Sequence, residues 1–432
     1  MQRIAIIGSG IAGLAAAQAL TRLPGRVAVT LFEAAGHFGG HANTVDITLD
    51  GVSHGVDTGF LVCNERTYPG LLGLFAELGV ETAPSDMSFS VQARRAELEW
   101  SGSNLAGVFA QPANLLRPAF WRMLADIARF NRLCTGLAQR GDITALEQPV
   151  GDFLDGHRFS REFRDWYLLP MIACIWSCPT EQMLAFPIAT LIRFCHNHGL
   201  LQVSRRPQWL TVRGGSRQYV RRIIERLADA RLHTPVLGVQ RREAGALLRT
   251  TRGVEHFDQL VFACHSDQAL RLLGSDASSD ESMVLGAIGT HPNRAVLHTD
   301  ASLLPVRRSA WAAWNYESSN TPDDAGAPGV CLHYLLNRLQ PLPWQQPVIV
   351  SLNPIREPRA DTVIQRFDYE HPVFDAAAIA AQASLAEIQG RRRSWFCGAW
   401  TGYGFHEDGL KSGRAVAEAL TRTLQGEHRD AA

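Results

Sequence analysis

Arg3-Ile-Ala-Ile-Ile-Gly-Ser-Gly-Ile-Ala-Gly-Leu-Ala-Ala-Ala-Gln-Ala-Leu20 decides how this chain reads. Ile4 to Ile7 is a continuous apolar run rich in β-branched residues, as in a parallel strand covered on both faces. Gly8-x-Gly10-x-x-Gly13 follows, and the apolar residues to Leu20 predict a helix. In such a turn Gly8 makes the bend, Gly10 lets a pyrophosphate approach the backbone, and Gly13 lets helix and strand pack closely. The N–H groups and positive dipole end at the helix start favour phosphate. A glycine pattern alone is weak evidence of a ligand. Here a second strand-like run, Val27–Phe32, ends in Glu33, twenty residues after Gly13, where an acid accepts a ribose hydroxyl. The stretch predicts dinucleotide binding, with Ser9, Ile11 and Ala12 in the phosphate turn and Ala34 beside the ribose acid.

Further along lies Gly39-Gly40-His41-Ala-Asn-Thr44, and a second glycine pair so close to the acid admits a larger, more extended cofactor. The far C-terminus supplies a complement, Trp395-Phe-Cys-Gly398-Ala-Trp-Thr-Gly-Tyr-Gly-Phe-His-Glu-Asp408-Gly409. A short apolar strand runs into a loop, and Asp408 and Gly409 open a helix predicted over 410–424. That second helix N-terminus faces ligand, with Asp408 placed to bond sugar-alcohol hydroxyls.

With these residues the chain resembles the flavin-containing amine oxidase and phytoene desaturase superfamily. More narrowly it resembles bacterial amine oxidase-like FAD-binding oxidoreductases that include fatty-acyl desaturases of furan fatty acid synthesis. The specific parts are Gly8–Gly13 with Glu33, Gly39–Thr44, Asp57-Thr58-Gly59-Phe60, Phe194-Cys-His-Asn-His-Gly-Leu200 and Gly398–Gly413. His41 is a departure, because amine oxidases usually carry Arg there. The resemblance implies FAD as cofactor and an α/β fold: a three-layer, Rossmann-like FAD-binding domain with an inserted α+β substrate domain. It divides the chain into FAD-binding parts at 1–80, 206–285 and 381–432, a helical substrate or lid region at 81–205, and a substrate-side sheet at 286–380. It places Thr58, Gly59 and Phe60 beside the flavin ring, Val236 against adenine, and Gly398, Asp408, Gly409 and Leu410 at the flavin motif. Trp400, Tyr403 and His406 then flank the ring.

Composition narrows the class. With 432 residues, 46% hydrophobic and 19% charged, the chain can bury a large core. Its formal net charge of zero offers no general case for nucleic acid. The run Arg391–Arg393 reads as solvated surface. The eight cysteines show no repeated CxxC spacing and read as buried thiols of a reducing cytosol. A nucleotide fold starting at residue 3 leaves no space for a signal peptide, and no apolar run reaches membrane-spanning length. The expected location is cytoplasmic, with peripheral contact at the inner membrane face.

Asn43–Leu49 and Val52–Asp57 predict a hairpin about Asp50-Gly51. Asp57-Thr-Gly also occurs in aspartic proteases, which need two such carboxylates together, and the chain offers no partner motif. Tyr68–Leu78 predicts a helix, and 87–92 and 97–100 a small sheet. Helices are predicted over 119–137, 143–154, 161–171 and 187–196, among crowded aromatics that suit either a core or an apolar tunnel. Cys195, His196 and His198 are too close together for a tetrahedral metal site, and no metal is expected. The 209–216 stretch predicts a turn into a helix at 217–228 capped by Ser216. Strands are expected at 231–239, 247–252, 259–263, 291–300, 310–316, 330–336 and 348–352, with a polar loop at 318–328.

The expected chemistry is removal of a hydride and a proton from an apolar, fatty-acyl or phospholipid substrate, with an unidentified electron acceptor. The amine oxidase alternative, by the resemblance, uses a lysine on a substrate-side strand near His291–Val296. Arg294 stands there and Lys411 is the chain's sole lysine. A non-catalytic flavoprotein partner of a lipid-modifying assembly is the other alternative. His406 is the titratable candidate for proton exchange, and Trp400 and Tyr403 wall the substrate. Arg117, Arg122, Arg129 and Arg132 fall near helical spacing and face either solvent or lipid phosphates.

Overall fold

The computed structural model describes all residues except 24, 147, 177–179, 203–205, 319–330 and 431–432. Gln2–Ile7 forms a strand and Ile11–Leu20 a helix buried along nearly its whole length. Val27–Phe32 lies parallel beside the first strand, with Ile6 opposite Leu31. The rest of the sheet comes from far along the chain. Gln259–Phe262 pairs on the other side, Ser394–Phe396 lies beyond it, and Asp229–Arg231 closes the opposite edge. All five strands are parallel. Ile11–Leu20, Pro69–Leu78, Arg217–Ile224 and His406–Asp430 cover one face. An antiparallel meander, Val236–Arg242, Gly245–Thr250 and Gly253–Phe257, covers the other through Ala246, Leu248 and Phe257. Helices, parallel sheet and meander make three layers.

A second sheet has seven strands in the order Val363–Pro372, Thr290–His298, Ile349–Leu352, Cys331–Leu335, Trp314–Ser318, Phe89–Ala93 and Leu98–Ser101. The helices of 118–197 pack against it in one large core that includes Phe130, Phe163, Phe194 and Val350. The hairpin forms at Thr44–Leu49 and Val52–Asp57, and positive φ at Asp50 (50°) and Gly51 (77°) makes its two-residue turn.

Several elements differ from the sequence expectation for identifiable reasons. The helix expected over 143–154 splits into a short turn, Asp142–Ala145, and Val150–Gly156, because Pro149 cannot continue a helix. The helix expected over 161–171 widens into a π turn at Arg164–Leu168. Pro170 has no N–H for the Trp166 carbonyl, and the Trp100 indole donates to that oxygen instead at 3.2 Å. Trp209–Val212 is a strand, not a turn, pairing with Cys63–Asn64 and Thr82–Ser85. Ser216 does not cap its helix, since its hydroxyl donates to Asp57 at 2.7 Å. Arg391 and Arg392 are not simply solvated but pair with Asp280 and Asp276. The polar loop expected at 318–328 lies, apart from Ser318, outside the described residues.

Candidate functional site: a cofactor cleft opening into an apolar cavity

The three glycines of the turn meet different surroundings. Gly8 has φ of 106°, and a Cβ there would sit 2.8 Å from the Ala263 carbonyl oxygen. At Gly13 a Cβ would lie 2.0 Å from the Gly8 oxygen, so this glycine sets the helix against the strand. A Cβ on Gly10 would meet no atom within 4 Å. Gly8 and Gly13 therefore serve packing, and Gly10 faces open space.

That space is a cavity of about 1320 Å³. Gly8 to Ala12, Glu33, Ala34, Gly39 to His41, Gly59, Phe60, Val236, Gly398, Trp400, Tyr403 and His406 all line it. Thr58, Asp408, Gly409 and Leu410 do not. The Thr58 hydroxyl donates to the Asn43 carbonyl at 3.0 Å, and the Asp408 carboxylate accepts the Tyr403 and Phe405 N–H groups at 3.1 and 3.0 Å. Asp408 thus braces the loop before its helix. A Cβ on Gly409 would lie 2.7 Å from Ile11, and one on Gly413 would lie 2.1 Å from the Ala12 oxygen. These two glycines let the last helix lie directly on the first.

Glu33 is pre-positioned at the end of its strand. Its Oε2 accepts the Ser9 hydroxyl at 2.5 Å and the Ser9 N–H at 3.1 Å, and its Oε1 accepts the Ala35 N–H at 2.9 Å. Asp57 is a buried structural knot that accepts from Thr44, Ser216 and Gln340 at 2.6–2.9 Å, and burial raises its pKa. It anchors the segment leading to Gly59 and Phe60.

Five histidines, at 41, 198, 265, 371 and 406, line the cavity. His406 is corrected relative to the sequence expectation. Its ring stacks on Phe60 at 3.8 Å, its Nε2 lies 3.0 Å from the Tyr219 hydroxyl, and burial pushes its pKa down to about 3. It stays neutral near pH 7 and is a poor proton-exchange group. Trp400 is a largely buried wall whose indole donates to the Cys264 carbonyl at 3.1 Å. Reasoning from sequence passed over His265 and His371, which lie outside any glycine motif.

Beyond Tyr403 the cavity turns apolar. Phe194 stacks on Phe405 at 5.1 Å and on His198 at 3.9 Å, and Met87, Ile127, Tyr167, Met171 and Trp209 continue the wall. Cys195, His196 and His198 do not gather around a point: Cys195 is buried, the His196 carbonyl accepts from Arg66, and His198 Nδ1 bonds the Phe194 carbonyl. Among the described residues, Glu317, Cys331 and His333 do bring metal-type atoms within 4.8 Å of one another. Two arginines, Arg94 and Arg356, already occupy the Glu317 carboxylate, so the group is an ion-pair network.

The cleft fits an extended flavin dinucleotide. Gly10 leaves a space that a side chain would fill, and the buried Nε2 of His41 has no protein partner on the cavity wall. A search of curated proteins finds no match. Among solved structures, the fold is similar to cyclohexylamine oxidase from Brevibacterium oxydans IH-35A (TM-score 0.69, 16% identity, 98% of this chain and 99% of that one). It is similar also to a CLA-producing fatty acid isomerase from P. acnes (0.67, 16%, 98% and 98%) and to putrescine oxidase bound to putrescine (0.66, 15%, 98% and 99%). A sequence profile of the flavin containing amine oxidoreductases matches residues 11–334. With the glycine turn, Glu33 and the open cleft meeting in one place, this chain belongs to the flavin-containing amine oxidoreductases and is an FAD-dependent oxidoreductase.

Proposed function

We propose that this protein removes a hydride and a proton from a fatty-acyl chain carried in a lipid, leaving a new double bond. The observation that carries the reading is the largely apolar continuation of the cofactor cleft, where the charged lining groups Asp86 and Arg338 pair with each other and Arg206 donates to the Gln202 carbonyl. Burial pushes the Tyr167 hydroxyl up to about 12, raises the Cys174 thiol and pushes His198 down to about 4, so these lining groups are neutral at pH 7. FAD, when bound, supplies the oxidation by accepting the hydride. The chain's residues exclude water and align an extended substrate along the Phe194–Phe405 stack.

An ammonium substrate finds little here. Each carboxylate that lines the cavity among the described residues is engaged: Glu33 by Ser9, Asp86 by Ser88 and Arg338, Glu370 by His265. Lys411 points to Glu407 at 3.4 Å and does not line the cavity. Arg294 turns outward to Glu357.

The route for lipid is part of the proposal. Leu105, Leu115, Leu116 and Trp121 are exposed, Leu116 by 88%, and the Trp121 indole donates to the Leu115 carbonyl. Asn104 and Val108 of the same segment line the cavity. This patch gives the protein an apolar surface for peripheral contact with the cytoplasmic face of a membrane. Arg122 and Arg129 pair with Glu162 and Asp126, and Arg117 donates to the Ala96 and Glu97 carbonyls, so the contact rests on apolar side chains more than on phosphate pairing. No helix among the described residues is long and apolar enough to cross a membrane.

The test is anaerobic stopped-flow mixing of the yellow holoenzyme with acyl phospholipids and, separately, with simple primary amines. The expected result is loss of the oxidised flavin absorbance with the lipid alone. Rapid bleaching by an amine and none by any acyl lipid overturns the substrate assignment, and no bleaching by either favours the non-catalytic partner.

A further inference from the structure

We infer that His41 takes up a proton when FAD binds, so that its imidazolium faces the cofactor's diphosphate. The inference rests on the FAD assignment above and adds to it a proton that the binding equilibrium must carry.

The position of His41 is fixed by backbone on both sides. A Cβ on Gly40 would lie 3.2 Å from the Gly10 Cα, so the residue before His41 sits on the phosphate turn. The His41 carbonyl accepts the Phe60 N–H at 2.7 Å, and a Cβ on Gly59 would lie 2.3 Å from the same oxygen. Its ring stacks on Tyr369 at 4.9 Å and lies 5.1 Å from His371 and 6.5 Å from His265. Within this packed cluster the Nε2 of His41 is buried and has no hydrogen-bond partner. A buried ring nitrogen without a partner, on the wall of an open cleft, is a group prepared for a ligand atom.

The neighbours differ from His41 in being committed. Asn293 donates its amide to the His291 carbonyl at 3.2 Å, and its Oδ1 accepts from Asn353 at 2.7 Å, which fixes its orientation. The same amide nitrogen lies 2.9 Å from His371 Nδ1, which must therefore accept. His371 is thus a neutral ring with its hydrogen on Nε2. His406 is held by Tyr219, and His265 faces the Glu370 carboxylate at 3.2 Å. The Tyr369 hydroxyl is shared between Thr58 and Asn43, Glu33 is turned to Ser9, and Arg271 is paired with Asp267 on the same cavity. In the empty cleft, burial and then His371, His265 and His406 hold the His41 pKa well below its ordinary value. A diphosphate carries two negative charges throughout the neutral range. Placed beside Nε2 it reverses the sign of the local field and favours the charged ring.

The linkage has a definite sign. Above the lowered pKa of the empty protein and below the raised pKa of the complex, each FAD bound draws in about one proton. In that window the FAD dissociation constant rises about tenfold per pH unit. The experiment is calorimetric titration of the full-length apoprotein with FAD, in buffers of different ionisation enthalpy, at about pH 7.5. The wild type should show uptake approaching one proton per FAD. His41→Gln should bind FAD more weakly and without uptake, and His41→Arg should restore binding with no pH dependence. FAD binding without proton uptake in the wild type, or uptake retained in His41→Gln, overturns the inference while leaving the cofactor assignment standing. A chain that binds no FAD at all removes the cofactor assignment, and this inference with it.

Discussion

Gly10 and Gly13 are three residues apart and make opposite predictions. Gly10→Val places its Cβ where no protein atom lies within 4 Å, so the apoprotein should fold and melt as the wild type while losing FAD. Gly13→Ala drives a Cβ to 2.0 Å from the Gly8 oxygen, so it should damage the fold itself. Melting curves and the absorbance of heat-released flavin separate the two, and a Gly10→Val protein that stays yellow contradicts the cleft. Glu33→Gln should weaken FAD by about 1.5–3 kcal/mol, the usual worth of a charge-assisted hydrogen bond, as measured by apoprotein titration. An unchanged affinity removes Glu33 from ribose binding. The sequence made these roles legible because each rests on the glycine turn or on the strand end that follows it at a recognisable spacing. It left His406 misread, because a histidine's charge depends on burial and on Tyr219, which lies far off in the chain.

In the seven-stranded sheet, Glu317 and His333 come from adjacent strands and meet at 2.9 Å, fully enclosed. Burial alone would raise Glu317, but His333, Arg356 and Arg94 outweigh it and hold the carboxyl at about 2. Burial alone would lower His333, but Cys331 and Glu317 outweigh it and hold the ring at about 9. The stability from Glu317 is complete above its ordinary 4.5 and is lost as pH falls toward about 2. That from His333 is complete below its ordinary 6.5 and is lost as pH rises toward about 9. Urea denaturation should therefore show this sheet most stable between those ordinary values. His333→Ala leaves a buried carboxylate short of a partner, should cost about 3–5 kcal/mol, and should flatten the alkaline limb. An alkaline limb unchanged in that variant places the titration elsewhere. The sequence reading expected strands at 310–316 and 330–336, the first stopping one residue short of Glu317, and nothing along the chain announced that Glu317 and His333 would meet.

Over the whole molecule, the cofactor cleft is assembled from distant segments: the first strand, Gly39–Phe60, Val236, and the loop before the last helix. A ligand that bridges them stabilises only the assembled state. At a free concentration one hundred times its dissociation constant, FAD should add about 2.7 kcal/mol, read as a rise in melting temperature over the apoprotein. Identical melting of the two forms contradicts a cofactor shared by these segments.

What the sequence by itself determined is what neighbouring residues enforce. The glycine turn, Glu33 at a strand end and the Asp50-Gly51 hairpin all follow from local sterics and periodicity, whereas the last helix, expected from Leu410, starts at His406. The tertiary structure alone decided the rest. It set the ten-residue strand Val363–Pro372 on a sheet edge, where polar residues are tolerated and alternation is weak. It brought His41 to a stack with Tyr369 and close to His371. It left Cys195, His196 and His198 apart and joined Glu317 to His333. Contacts between distant residues, and the desolvation that sets their charge, arise only when the core closes around them.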